Sequence, residues 1–315
     1  MTRRPSRYPN PGVEVNGKTV DYPNGEYGPD IVSGYLVDFI KRKKDGPFFV
    51  YYPMILPHWP FGPTPDSDHW DPNNKKLWAN ENAKDFKGMV AYVDKCVGKI
   101  DRALGDAGVR DNTILIFTCD NGTYQAVKAP FRGMNWVGGK GTTPDAGTHV
   151  PMIASWPSVI KGGRETNDLV DFSDILPTLA DVAGATLPSD RTLDGISFLP
   201  QLKGETGTPR DFVFCWYSRN GHRDEAVQRF ARTQTYKLYH DGRFFDVPAD
   251  ILEKNDLTPD KIDTESRQTR AALKAVLDTL VAEEAKFPYE APVKKAKNKK
   301  KEQKQKKKKQ KQEKK

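Results

Sequence analysis

The chain has 315 residues, 37% of them hydrophobic and 10% aromatic, enough for one large or two modest domains with a true core. Residues 294–315 hold fourteen Lys and two Glu against a whole-chain charge of +8, so residues 1–293 carry a net −4 and the pI of about 9.1 describes the terminal tract, not a site. Cys96, Cys119 and Cys215 form no CxxC pair, which argues against a disulfide framework. No apolar run reaches the ~18 residues that span a bilayer, and no apolar signal-peptide core follows Met1.

In chain order, residues 1–29 are polar, rich in Gly and Pro and without apolar period, so an irregular arm is expected. Asp30 is the expected N-cap of a helix whose Ile31, Tyr35, Leu36, Phe39 and Ile40 share one face. Lys41–Lys44 suit its C-terminus and Gly46 its end. The uninterrupted apolar run 48–56, FFVYYPMIL, predicts a strand buried on both faces, with His58 at its exit. Residues 60–80 predict an extended loop. A 3.6-residue period through Phe86, Met89, Val90, Val93, Val97, Ile100 and Leu104 predicts a helix over 83–107. Strands are expected at 113–118 and 150–155, and a helix at 169–183 that Pro177 would kink. After Pro188 come short β-rich runs at 212–217, 231–240 and 243–247, then an amphipathic helix over 264–285. The expected organisation is thus an arm (1–29), an α/β domain (30–200), a small α+β subdomain (201–290) and a disordered lysine-rich tail (291–315).

The chemistry concentrates between Thr113 and Pro157. Asp120-Asn121-Gly122 leaves a strand with two hard oxygen donors suited to calcium or magnesium, although an ordinary Asn-Gly turn reads the same way. A full cation site needs six or more ligands, so others must come from elsewhere. In Gly138-Gly139-Lys140-Gly141-Thr142-Thr143, small neighbours let backbone N–H groups approach an oxyanion and Lys140 adds a point charge; the spacing is not that of a Walker A loop. His58 is a candidate donor to an anion or leaving oxygen. Asp145 lies near Lys140 in sequence and is a candidate to orient it; His149 is ambiguous, and His69, His222 and His240 read as surface residues.

Taken together, PFFVYYPMILPHWPFGPTPDS, MVAYVDKCVGKIDRAL, NTILIFTCDNGT, GGKGTTPDAGTHVPMIASWP and DFSDILPTLADVAG resemble the sulfatases of the alkaline-phosphatase-like superfamily, in their arylsulfatase A-type branch, from about Val13 to residue 250. The resemblance implies a mixed α/β sheet flanked by helices, with a small C-terminal antiparallel sheet and helix. It implies sulfuric ester hydrolysis of an aryl or carbohydrate sulfate with calcium, and a periplasmic, secreted or otherwise extracytoplasmic parent. Asp120 and Asn121 match calcium ligands, Lys140 a lysine that binds the sulfate and assists the leaving oxygen, and His58 a histidine that contacts the sulfate.

The family's nucleophile is a formylglycine made from a Cys-x-(Pro/Ala)-Ser-Arg motif upstream of the strand that carries His58. That motif is absent from the residues before this strand. Arg3-Arg4-Pro5-Ser6-Arg7 has Arg where Cys must stand, and Cys215-Trp216-Tyr217-Ser218-Arg219 has Tyr217 where Pro or Ala belongs and lies downstream of Asp120. The expectation is a C-terminal portion of a sulfatase, its sheet incomplete on the N-terminal side and inactive alone. The alternatives are a non-catalytic anion- or polyanion-binding remnant, for which the lysine tract would supply the contact, and a related phosphoesterase.

Overall fold

The structure, a computed structural model, describes residues 6–78, 83–219 and 227–287. The chain divides into two units, Met1–Val213 with Val247–Lys254, and Phe214–Asp246 with Asn255–Lys315.

The first unit opens on order where an arm was expected. β1 (Gly12–Val15) and β2 (Lys18–Asp21) form an antiparallel hairpin in which Val15 faces Lys18. The two-residue loop Asn16-Gly17 has both φ angles positive, 50° and 78°, which matches the right-handed twist of the strands it joins. Tyr8 and Tyr27 flank the hairpin and are buried with Phe61, Met89, Tyr92 and Cys96. α1 (Gly28–Lys43) starts two residues before Asp30, with Tyr27 as N-cap and Pro29 in the first turn. Asp30 does not cap: its carboxylate accepts a hydrogen bond from Tyr92 Oη at 2.7 Å, joining α1 to α2 (Phe86–Asp106). α2 buries Met89, Val93 and Leu104 of the stripe expected of it, while Val90 is 44% exposed.

The run 48–56 departs from expectation. No strand pairs with it among the described residues, and Phe49 and Tyr51 are 70% and 80% exposed. A strand buried on both faces requires neighbours on each side, and those neighbours are not among the described residues. Further on, β3 (Leu115–Thr118) pairs antiparallel with β6 (Met152–Ser155), Thr118 opposite Met152. Between them lie the hairpin β4 (Lys128–Phe131) and β5 (Met134–Val137) and the short helix α3 (Asp145–Thr148). A 3-10 turn, Phe172–Asp174, held by a capping box on Asp171, leads into α4 (Ile175–Ala183), which ends on Gly184 in the left-handed region. Pro177 falls in the first turn of α4, where its missing N–H costs no intrahelical bond, so no kink is needed. α5 (Leu199–Lys203) follows.

In the second unit, β7 (Val213–Tyr217), β8 (Gln228–Arg232), β9 (Tyr236–Tyr239) and β10 (Phe244–Asp246) form a sheet in the order β10-β9-β8-β7. The stretch 231–240, expected as one strand, is divided between β8 and β9 because Thr233 Oγ1 accepts the backbone N–H groups of Thr235 and Tyr236 and turns the chain. Lys237 is fully buried with its Nζ 3.9 Å from the centre of the Phe230 ring. α6 (Thr264–Ala285), capped by Asp263, covers the sheet with Leu273 and Leu277.

One buried ion pair organises the end of the first unit. Asp174 accepts the backbone N–H groups of Asp171 (2.8 Å) and Ile196 (2.7 Å) and is bound by the Arg210 guanidinium, both side chains nearly enclosed. Asp174→Ala would leave the Arg210 charge buried and two N–H groups unpaired, and it should cost about 3–5 kcal/mol in urea unfolding. A second expectation concerns alkali. Burial, the first cause in each case, raises the phenol pKa of Tyr8, Tyr27 and Tyr52, and of Tyr92, which also donates to Asp30. These phenols are protonated in both folded and unfolded chains below about pH 10; above it the unfolded chain alone ionises, so stability should fall as pH rises past about 10. Tyrosinate absorbance recorded beside circular dichroism checks this: these four should ionise together with unfolding.

Candidate active site

The segment from Asp120 to His149 is folded back on itself by contacts of backbone against backbone. Gly122 N–H donates to Gly147 O at 2.9 Å, Lys140 N–H to Thr123 O at 2.9 Å, and Gly138 N–H to Val127 O at 3.0 Å. Four glycines make this possible. A Cβ on Gly122 would lie 1.9 Å from Ala146 O, on Gly138 2.3 Å from Tyr124 O, on Gly139 2.5 Å from Ala146 C, and on Gly147 2.2 Å from Thr142 O. The hydrogen bond from Lys140 N–H to Thr123 O brings the backbone of the Gly-Lys-Gly turn against the segment that follows Asp120 and Asn121.

Asp120 is exposed and Asn121 and Lys140 are half-buried, so all three are open to a solute. Thr142 Oγ1 donates to Gly139 O at 2.6 Å and closes the Gly-Lys-Gly turn. Asp145 is buried at the start of α3, and its Oδ2 lies 3.2 Å from Nδ1 of the largely exposed His149. Thr118 faces Met152 at the last pair of the β3–β6 ladder, and His149 precedes Met152 by three residues. Cys119 adjoins Asp120, but burial first and the Asp120 charge second push its thiol pKa up, which keeps it protonated and a poor nucleophile. Cys96 is in the core and raised for the same leading reason.

His58 is exposed. It follows the turn closed by His58 N–H to Ile55 O at 2.9 Å, and Phe61, three residues on, packs against Tyr124 with ring centres 6.0 Å apart. The turn is anchored from below by buried Tyr8, whose hydroxyl donates to His58 O at 2.5 Å and to Ile55 O at 3.1 Å. His58 Nδ1 is 2.6 Å from Trp59 O, the shorter of its two contacts, so we assign the proton to Nδ1 and leave Nε2 facing outward. Arg7 Nη1 lies 3.2 Å from the same ring and adds a second cationic group on the exposed side. Arg7 and Tyr8 were not read as site residues: no local pattern signals a partner fifty positions away. His69 pairs with Asp85 at 2.9 Å on the surface. His222, Arg3 to Pro5 and the lysine-rich tract lie outside the described residues.

The donor set was tested against calcium. Asp120 and Asn121 supply one carboxylate and one amide oxygen, and among the described residues no group of three or more His, Cys, Asp or Glu is placed to hold a metal ion. Calcium takes six to eight oxygens, so the described residues by themselves do not make a calcium site.

The family model "Sulfatase" matches residues 3–185, more than half the chain, and "N-sulphoglucosamine sulphohydrolase, C-terminal" matches residues 140–285. The chain belongs to the sulfatase family. It is similar to arylsulfatase A of Homo sapiens, 34% identical over 63% of this chain and 36% of that protein, and to a sulfatase of Formosa agariphila, 31% identical over 67% of this chain and 40% of that protein. The solved structure of Ps i-CgsB in complex with k-i-k-neocarrahexaose is 27% identical, with a TM-score of 0.66 over 86% of this chain and 57% of its own. The fold is the alkaline-phosphatase-like one, mixed α/β with a small antiparallel sheet. The chain spans well under half the length of the curated relatives it matches. No helix among the described residues is long and apolar enough to cross a membrane.

The glycine contacts are testable without knowing a substrate. Gly122→Ala drives a Cβ into Ala146 O and should destabilise the protein by more than about 2 kcal/mol. Gly162→Ala meets nothing within 4 Å and should change stability by less than about 0.5 kcal/mol. Calorimetric melting of both variants checks the contrast.

Proposed function

We propose that this chain is the sulfate-binding portion of a sulfuric ester hydrolase acting on an aryl or carbohydrate sulfate. The observation that carries the reading is the Lys140 N–H to Thr123 O bond, which holds the backbone of the Gly-Lys-Gly turn against the segment that follows Asp120 and Asn121. Family membership supports it, as does the carbohydrate named in the Ps i-CgsB complex.

In this reading the residues divide the work by charge. Lys140 offsets the negative charge on the sulfate oxygens and the charge that grows on the leaving oxygen as the S–O bond breaks. His58, protonated on Nδ1 and held by Trp59 O, turns Nε2 toward the same anion, and protonated it becomes a second donor. Arg7 beside His58 raises the positive field at that edge. Asp120 and Asn121 are a donor pair for calcium, to be completed by ligands the described residues do not supply. The nucleophile, like those ligands, is assigned outside these 315 residues, which contain no Cys-x-(Pro/Ala)-Ser-Arg motif.

Two measurements test the division. Titration with inorganic sulfate, followed by calorimetry, should show binding that Lys140→Ala weakens about tenfold or more, the worth of one charge-assisted contact. Hydrolysis of p-nitrophenyl sulfate by the 315-residue protein should stay at the buffer rate. Turnover that Lys140→Ala abolishes would mean that the chain carries a nucleophile of its own.

A further inference from the structure

Between Asp120 and Asp145 the chain carries Lys128, Arg132 and Lys140 and no carboxylate, although residues 1–293 as a whole are net negative. Two of these cations belong to the hairpin β4–β5, which pairs with no further strand among the described residues. Its loop, Arg132-Gly133, has both φ angles positive, 49° and 76°. The root of the hairpin is held: Val127 is buried, and Gly138 N–H donates to Val127 O at 3.0 Å, so the ladder runs on into the glycine turn of Lys140. The strands above it are open. Every residue of β4 is exposed, Phe131 by 46%. By register Ala129 faces Trp136 and Phe131 faces Met134, so Phe131 and Trp136 share one face with the small Ala129. Their rings meet edge to face with centres 5.4 Å apart, and the Arg132 guanidinium lies 5.2 Å from the centre of the Phe131 ring. Neither Lys128 nor Arg132 makes an ion pair among the described residues.

This surface is cationic and aromatic, and its edges are closed to another strand. Pro130 has no N–H to give, and Lys128 and Arg132 put charge beside the free backbone. A sulfated sugar fits both kinds of group: its ring packs on aromatic faces and its sulfates pair with guanidinium and ammonium. Lys140 follows the last residue of β5 by three positions, at most about 11 Å of chain, so one oligosaccharide reaches both. We propose that the β4–β5 hairpin is a second subsite, which holds a ring and sulfate adjoining the sulfate at Lys140 and so selects carbohydrates bearing more than one sulfate over a simple aryl sulfate. Phe131 and Trp136 supply the ring contact, Lys128 and Arg132 the charge. The inference rests on the reading of Lys140 as a sulfate-binding residue and extends it to the neighbouring part of the substrate.

The probes are hexasaccharides of heparin, chondroitin sulfate and carrageenan, each beside its desulfated form, added to the 315-residue protein. Hydrogen exchange read at residues 128–137 reports the hairpin itself and is blind to anions held by the lysine-rich tract. At least one sulfated hexasaccharide should slow exchange there, and its desulfated form should not. The double variant Lys128→Gln, Arg132→Asn removes both charges, and Asn accepts the positive φ at position 132. It should keep its melting temperature, because both side chains are already in water, and should need about tenfold more hexasaccharide for half protection. Phe131→Ala should weaken protection about fivefold. Inorganic sulfate should bind both variants as it binds the parent. Protection by none of the three sulfated probes, equal protection by the desulfated forms, or protection that neither variant weakens would overturn the proposal. So would stronger protection by a single-stranded oligonucleotide of equal charge, since nucleic acid would then be the occupant. Failure of the Lys140 reading is told apart by inorganic sulfate binding that Lys140→Ala leaves intact, a result the hairpin variants do not affect.

Discussion

Backbone touching backbone at Gly122, Gly138, Gly139 and Gly147 is the constraint on which the candidate site depends. At each of these positions a Cβ would sit within 2.5 Å of another main-chain atom, a distance no side chain accommodates. Removing four side chains costs conformational entropy in the unfolded chain, about 0.5–1 kcal/mol each relative to alanine in regular structure. The return is a compact loop in which the Lys140 amide reaches Thr123 O and the Gly122 amide reaches Gly147 O. Those two bonds set the backbone of the Gly-Lys-Gly turn and of α3 against the segment that follows Asp120 and Asn121. The strands β3 and β6 fix the roots of the loop by pairing Thr118 with Met152.

The second support is aromatic. Tyr8, Tyr27, Trp70, Trp78 and Tyr92 contact one another with ring centres between 5.1 and 6.5 Å apart, in stacked and edge-on pairs. Tyr8 belongs to this cluster and to the His58 turn at once, because its hydroxyl donates to Ile55 O and His58 O. The position of His58 is therefore tied through Tyr8 to the packing of the α1–α2 layer. This is also why Arg7 arrives beside the imidazole: it precedes the buried Tyr8 and stays on the surface.

Much of this was legible in the residues. The period of α2, the stripe of α6, and the Asp-Asn-Gly and Gly-Lys-Gly turns are local signals, set by neighbours within one or two helical turns. The run 48–56 was misleading because apolar continuity reports the wish to be buried and not the presence of strands to bury it. Residues 1–29 were misleading for the opposite reason. Asn16-Gly17 was a hairpin signal, but the flanking strands are four residues each, too short for the alternation of Val13, Glu14 and Val15 to stand out. Asp30 was expected to cap α1 and instead accepts from Tyr92, since a partner sixty-two positions away outcompetes a local amide.

The sequence by itself determined the chemical types at the site: hard oxygen donors at Asp120 and Asn121, an ammonium at Lys140, an imidazole at His58, and glycine wherever the chain must approach itself. It also determined the family, because those types occur in an order and spacing that sulfatases share. Only the tertiary structure decided that the loop closes through Thr123 and Gly147, that Tyr8 and Arg7 attend His58, and that Phe49 and Tyr51 face outward. The physical reason is range. Side-chain chemistry and helical period act over a few residues, whereas a hydrogen bond between positions 8 and 58, or an uncovered strand face, depends on segments that meet only after the chain has folded.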